Sequence, residues 1–144
     1  MSTEANAPVS DHPLKKRVSE FPVDRTLRKE DGWDAIDVQW LITSDSVGAT
    51  DHTFGYTVIH PGGAHHKHRH PNAEEAQYLV AGRGVALVGD VEIEHEAGEV
   101  VFVPKGEWHG WRATGDEPAV MVWTYGGATN LETAGYVRWG DDRQ

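Results

Sequence analysis

From Ile36 to Tyr125 the chain is cut into short β-forming runs by turn formers at close, fairly even intervals. Ile36–Thr43 alternates apolar and polar side chains, and Thr53–His60 follows it. A Pro61-Gly62-Gly63 turn then leads to His65–His70, Ala76–Ala81, Gly84–Val88, Val91–Glu94, Val100–Val103, His109–Ala113 and Ala119–Tyr125. The joints are Ala-Gly-Arg-Gly, Gly-Asp, Ala-Gly-Glu, Pro-Lys-Gly and Gly-Asp-Glu-Pro, all rich in residues that bend a backbone cheaply. No stretch keeps a helical period over three turns, and no solenoid repeat is present. Many short strands with even turn spacing mean an all-β sandwich, jelly roll or small barrel. Tyr136 to Trp139 predicts a closing strand. Residues 1–12 read as a mobile tail and 14–34 as an irregular arm, which divides the chain into an arm, 1–34, and a barrel, 35–144.

At 144 residues there is room for one domain, which buries about 68–70% of its unfolded surface. With no cysteine, neither disulfides nor thiolate metal ligands are available. The balance of 23 acidic against 13 basic residues gives a net charge of −10 and argues against a nucleic-acid face. No apolar run approaches the roughly 18 residues of a membrane span, and the N-terminus lacks the basic-then-apolar pattern of a signal peptide. The expectation is a soluble, cytoplasmic protein without nucleic-acid or membrane partners.

The histidines are unevenly spread. Five of the nine, His60, His65, His66, His68 and His70, precede Glu74 and Glu75 closely, and His109 follows a Pro-Lys-Gly turn. Neutral imidazoles with a carboxylate are a ligand set for a divalent transition metal. In a strand, residues two apart share a face. That places His66, His68 and His70 together, Glu75 with Gln77 and Leu79, and His109 with Trp111. Ligation by His68, His70, Glu75 and His109 would leave about two positions of an octahedral ion open for substrate or water.

These residues resemble the two motifs of the cupin superfamily. The first reads Gly62-x5-His68-x-His70-x4-Glu75-x6-Gly82 and the second Gly98-x5-Pro104-x-Gly106-x2-His109. Where the family usually has an Asn beyond this histidine, the chain has Ala113, a departure that touches the local turn more than the metal. The motifs and the segment between them cover residues 62–113, roughly a third of the chain. The resemblance implies a double-stranded β-helix, a jelly-roll-like barrel with the metal inside. It also implies His68, His70, Glu75 and His109 as the ligands.

Around this tetrad the alternation places His66 inward, as a base or alternative ligand, against the plainer reading of an exposed partner near the turn. His65 is expected to face away. Tyr56 and His60 share a face with Phe54 and Val58 and are read as lining the cavity mouth, Tyr56 as an acid–base group, with a satisfied, partly buried histidine as the plainer reading of His60. Gln77 is read as a hydrogen-bonding group for a ligand or metal-bound water, and Trp111 and Trp123 as pocket walls. His52 and His95 carry no assignment. Cupins as a family include dioxygenases, decarboxylases, isomerases, lyases and simple binding proteins. The expected function is an Fe- or Mn-dependent dioxygenase or related oxidoreductase acting on a small molecule. The alternatives are a Lewis-acid isomerase, lyase or decarboxylase using Mn, Ni, Co or Zn, and a non-catalytic binding cupin. A homodimer is expected, with Val18 to Asp34 as an element packed across it.

Overall fold

The computed structural model describes residues 7–141. Nine strands form one antiparallel, nearly closed barrel: β1 (Trp33–Ile42), β2 (His52–Arg69), β3 (Glu74–Ala81), β4 (Arg83–Val88), β5 (Val91–Glu96), β6 (Val100–Val103), β7 (His109–Ala113), β8 (Ala119–Gly126) and β9 (Val137–Arg138). Two single-turn helices, α1 (Ser44–Val47) and α2 (Leu131–Ala134), interrupt them. The hydrogen-bonded order is β5-β4-β7-β2-β8-β3-β6, with β1 and β9 also paired to β2. The jelly-roll-like, all-β architecture expected from the sequence is the one observed. Of the tail expected at 1–12, residues 1–6 lie outside the described residues.

β2 organises the barrel because it changes partners along its length. From His52 to Ile59 it pairs with β8, from Ala64 to His68 with β7, and at His68 and Arg69 with β9. The expected turn at Pro61-Gly62-Gly63 is instead a bulged bend inside this one strand. Opposite it, β1 advances two residues, from Asp34 to Ile36, while β2 advances five, from Ile59 to Ala64. Gly63 fits because a Cβ there would stand 2.8 Å from the carbonyl oxygens of both Ala35 and His60. Ala35 carries the strain of this bend, with φ at 54°. A left-handed conformation costs a residue with a side chain about 1 kcal/mol. Ala35→Gly is therefore expected to stabilise the chain by up to about 1 kcal/mol in urea unfolding; a loss of stability would contradict the strained geometry.

The core runs along the inside of the barrel, through Val38, Ile59, Leu79, Ala86, Ala119, Met121 and Trp123. The arm before β1 lies along the outside of that strand. Gln39 donates its side-chain N–H groups to the carbonyls of Val18 and Phe21, Trp40 donates Nε1–H to Asp24, and the Asp24 N–H bonds Val38.

Candidate metal centre and cavity

Three strands and a C-terminal strap bring the motif residues to one point inside the barrel. β2 supplies His68, the loop after it His70, β3 supplies Glu75, and β7 supplies His109. Each histidine is at most 2% exposed and Glu75 is 7% exposed. The three histidines present ring nitrogens within 4.8 Å of one another. Glu75 Oε1 lies 3.4 Å from Nε2 of both His70 and His109.

The backbone fixes which nitrogen faces inward. Nδ1 of His68 bonds the His66 carbonyl at 2.6 Å, Nδ1 of His70 the Gly135 carbonyl at 2.7 Å, and Nδ1 of His109 the Glu107 carbonyl at 2.9 Å. A carbonyl only accepts, so each Nδ1 must carry the proton and each Nε2 must offer a lone pair. Nε2 of His68 and of His109 are buried without a hydrogen-bond partner. Orphaned buried acceptors are costly, and two of them beside a carboxylate fit a divalent cation.

Electrostatics agree with a crowded imidazole cluster. Burial, and then the neighbouring histidines, hold His68 well below the ordinary histidine pKa. Burial would also lower His109, but in the metal-free chain the Glu75 carboxylate 3.4 Å away outweighs this and raises it. Burial alone would raise Glu75, yet His109 and His70, each with Nε2 3.4 Å from its Oε1, hold it well below the usual carboxylate range. In chelator-treated protein His68, and His65, which burial lowers in the same way, are thus neutral when folded and bind protons on unfolding below about pH 6.5. As pH falls through that value the contribution of each declines by up to about 1.4 kcal/mol per pH unit. The His109 and Glu75 terms stay constant between about pH 6.5 and 4.5, since one is lost only at higher pH and the other only at lower. Urea midpoints at pH 7.5, 6.5 and 5.5 should therefore fall only in the last step; a flat profile would contradict a buried neutral His68.

The cluster opens into a cavity lined by Trp33, Ile59, Trp111, Met121, Trp123 and Tyr125, with Thr57, His65 and Gln77 among its polar members. It encloses about 430 Å³ of atom-free space, part of it open to solvent, so a guest must be small. Trp123 Nε1–H donates to Thr57 Oγ1 at 2.7 Å, and Trp111 Nε1–H to His95 Nδ1 at 3.0 Å. His95, fully buried, in turn gives Nε2–H to the Glu99 carbonyl, so this histidine holds an indole wall in place. Gln77 donates Nε2–H to Glu75 Oε2 at 2.8 Å. Burial keeps Tyr125 a neutral phenol, its pKa raised well above the ordinary tyrosine value.

Four expected positions are corrected. His66 faces solvent, with its side chain 59% exposed and 3.6 Å from Asp34, while His65 takes the inner place. The cause is a bulge: from His65 to His68 β2 advances three residues while β7, from Trp111 to His109, advances two. The extra residue inverts the alternation, so His65 and His68 share a face. Their rings stack at 3.7 Å, with Trp33 on the other side of His65 at 3.8 Å. Tyr136 donates its hydroxyl to the Asp31 carbonyl, so His65 Nε2–H donates to the Tyr136 oxygen at 3.1 Å. Tyr56 and His60 also fall outside the cavity lining, since Thr53, Gly55, Thr57 and Ile59 are the buried residues of that stretch. His60 bonds Asp37 at 2.8 Å, the satisfied, partly buried histidine of the plainer reading.

Comparison with known proteins agrees with this architecture. The family model described as "Cupin domain" matches residues 55–125. Polyketide synthase CurC of Streptomyces cyaneus is 31% identical over 109 residues, covering 76% of this chain and 68% of that one. The 5-nitrosalicylic acid 1,2-dioxygenase of a Bradyrhizobium species is 33% identical over 76 residues, covering 52% of this chain but only 36% of that protein. Among solved structures, a Thermotoga maritima protein described as a predicted oxalate decarboxylase superposes with a TM-score of 0.70 at 22% identity, over 78% of this chain and 98% of that one. Motifs, barrel and relatives lead to one assignment: the chain belongs to the cupin superfamily.

Proposed function

We propose that this cupin is a metal-dependent oxidoreductase, of dioxygenase type, for a small phenolic or enolic substrate, with iron or manganese held by His68, His70, Glu75 and His109. The observation that carries the reading is the convergence of buried, partnerless Nε2 atoms and one carboxylate at the head of an aromatic cavity. A divalent ion there would supply Lewis acidity and open positions for substrate oxygens. The chain's own groups do the rest. The carbonyls of His66, Glu107 and Gly135 hold the imidazole tautomers, and Gln77 holds Glu75. Trp33, Trp111, Trp123 and Met121 keep water from a guest. Three neutral histidines and one carboxylate leave a divalent site net positive, which favours an anionic oxygen donor. A salicylate and an enolised 1,3-dicarbonyl each offer two such oxygens, and the similarity to a nitrosalicylate dioxygenase supports this substrate chemistry.

A second reading, Lewis-acid chemistry on an enolisable carbonyl without oxygen, is favoured by the similarity to a polyketide synthase protein. One experiment separates them. Iron- or manganese-reconstituted chain is given salicylates, catechols and 1,3-diketones in an oxygen electrode. Oxygen uptake matched to substrate loss is the expected result. Turnover of the same substrate under strict anaerobiosis would overturn the oxidative reading and leave the second.

A further inference from the structure

One polar atom of the cavity is not accounted for by a metal. Gln77 is 5% exposed, and its Oε1 is buried without a hydrogen-bond partner. The orientation of the amide is not arbitrary. Nε2 donates to Glu75 Oε2 at 2.8 Å, and turning the amide over would set Oε1 against a carboxylate. Oε1 is therefore the free end, and it can only accept. No wall residue serves it. The Trp123 indole, its register neighbour across β8, has already given its N–H to Thr57. The Trp111 N–H goes to His95, and neither the Tyr125 hydroxyl nor any other lining group bonds it. A lone acceptor in such surroundings asks its guest for a donor, and rejects a guest that lacks one.

We propose that Gln77 Oε1 is the specificity contact of the cavity. Its ligand is a small flat arene or enol that presents a hydroxyl to this carbonyl, in addition to the two oxygens it turns toward the histidine cluster. This rests on the chelated-substrate reading above and narrows it: a singly hydroxylated aromatic acid is the poorer ligand, and a further hydroxylated one the better.

The test uses Mn(II)-loaded, full-length chain and isothermal titration under anaerobic conditions. The probes are salicylate, each of its monohydroxylated derivatives, and the matching methyl ethers. At least one hydroxylated derivative should bind about tenfold tighter than salicylate, and its methyl ether should lose that gain. In Gln77→Met the gain should disappear. The variant also removes the donor to Glu75, but that loss weighs on both ligands alike and cancels in the ratio. No derivative gaining over salicylate, or a gain that survives in the ether or in Gln77→Met, would overturn the proposal. The ether comparison needs no variant, so poor folding of Gln77→Met leaves the test intact. Failure of salicylate to bind at all, with manganese still present, would overturn the chelated-substrate reading itself and this inference with it. Salicylate binding without any preference overturns this inference alone.

Discussion

His109→Ala should lose its metal. Nε2 of His109 is one of two buried, partnerless nitrogens aimed at the cluster, and it lies 3.4 Å from Glu75 Oε1. Losing a direct ligand should weaken binding by at least the 10- to 100-fold that outer partners typically command. Two measurements report it. Metal per chain after reconstitution and gel filtration should drop from near one to background. The gain in melting temperature on adding Mn(II) should also vanish, because a ligand at about 100 times its Kd stabilises by about 2.7 kcal/mol only while it binds. His66→Ala serves as the control, since that ring faces solvent beside Asp34. Full metal occupancy in His109→Ala would remove the tetrad, and loss of metal in His66→Ala would make that residue a ligand.

Gly55→Ala should be among the most damaging single substitutions outside the site. A Cβ at Gly55 would stand 2.0 Å from Cζ2 of Trp123 and 2.3 Å from Cε2. The indole is held by several contacts. Its N–H is bonded to Thr57, and its ring sits edge-on to Trp40 at 5.1 Å and against Tyr125 at 4.9 Å. Overpacking of a fixed ring costs about 3 kcal/mol or more, read as a lowered urea midpoint at unchanged m-value. Gly98→Ala offers the contrast. That position has φ at 92° but nothing within 4 Å, so it should lose only the backbone cost of about 1 kcal/mol. Gly55 itself has no left-handed backbone, so equal losses at the two sites would contradict the Trp123 contact as the source of its cost.

The sequence exposed much of this plan and hid some of it, for identifiable reasons. Strand runs from Ala76 to Tyr125 are legible because each is bounded by strong turn formers. The motif spacing brings His68, His70, Glu75 and His109 together without needing any strand phase. Phase is where legibility fails. One extra residue between His65 and His68 reverses the face of everything before it, and nothing local in His-His-Lys-His announces it. A pointer exists elsewhere: Gly110, on the facing strand, leaves little room for a Cβ, which would stand 3.0 Å from the His65 carbonyl. In the first half of β2, hydrophobicity misleads. Phe54, Tyr56 and Val58 look like the inner face, but the interior needs Gly55 beneath the Trp123 ring and Thr57 to accept its N–H. The partner's bulk decides the face there. His95 is invisible for the same reason, since its role lies entirely in the indole it holds.

The strap that follows β8 has a consequence for the order of events during synthesis. The carbonyl that orients His70 belongs to Gly135, and β9, which pairs with His68 and Arg69, begins at Val137. All four ligand residues are translated before either exists. A nascent chain stopped at residue 126 would hold every residue of both motifs, yet would leave His70 without the bond that fixes its tautomer. A chain truncated after residue 126 is therefore expected to bind a divalent ion more weakly than the full chain, by about the 10- to 100-fold that an outer partner typically commands.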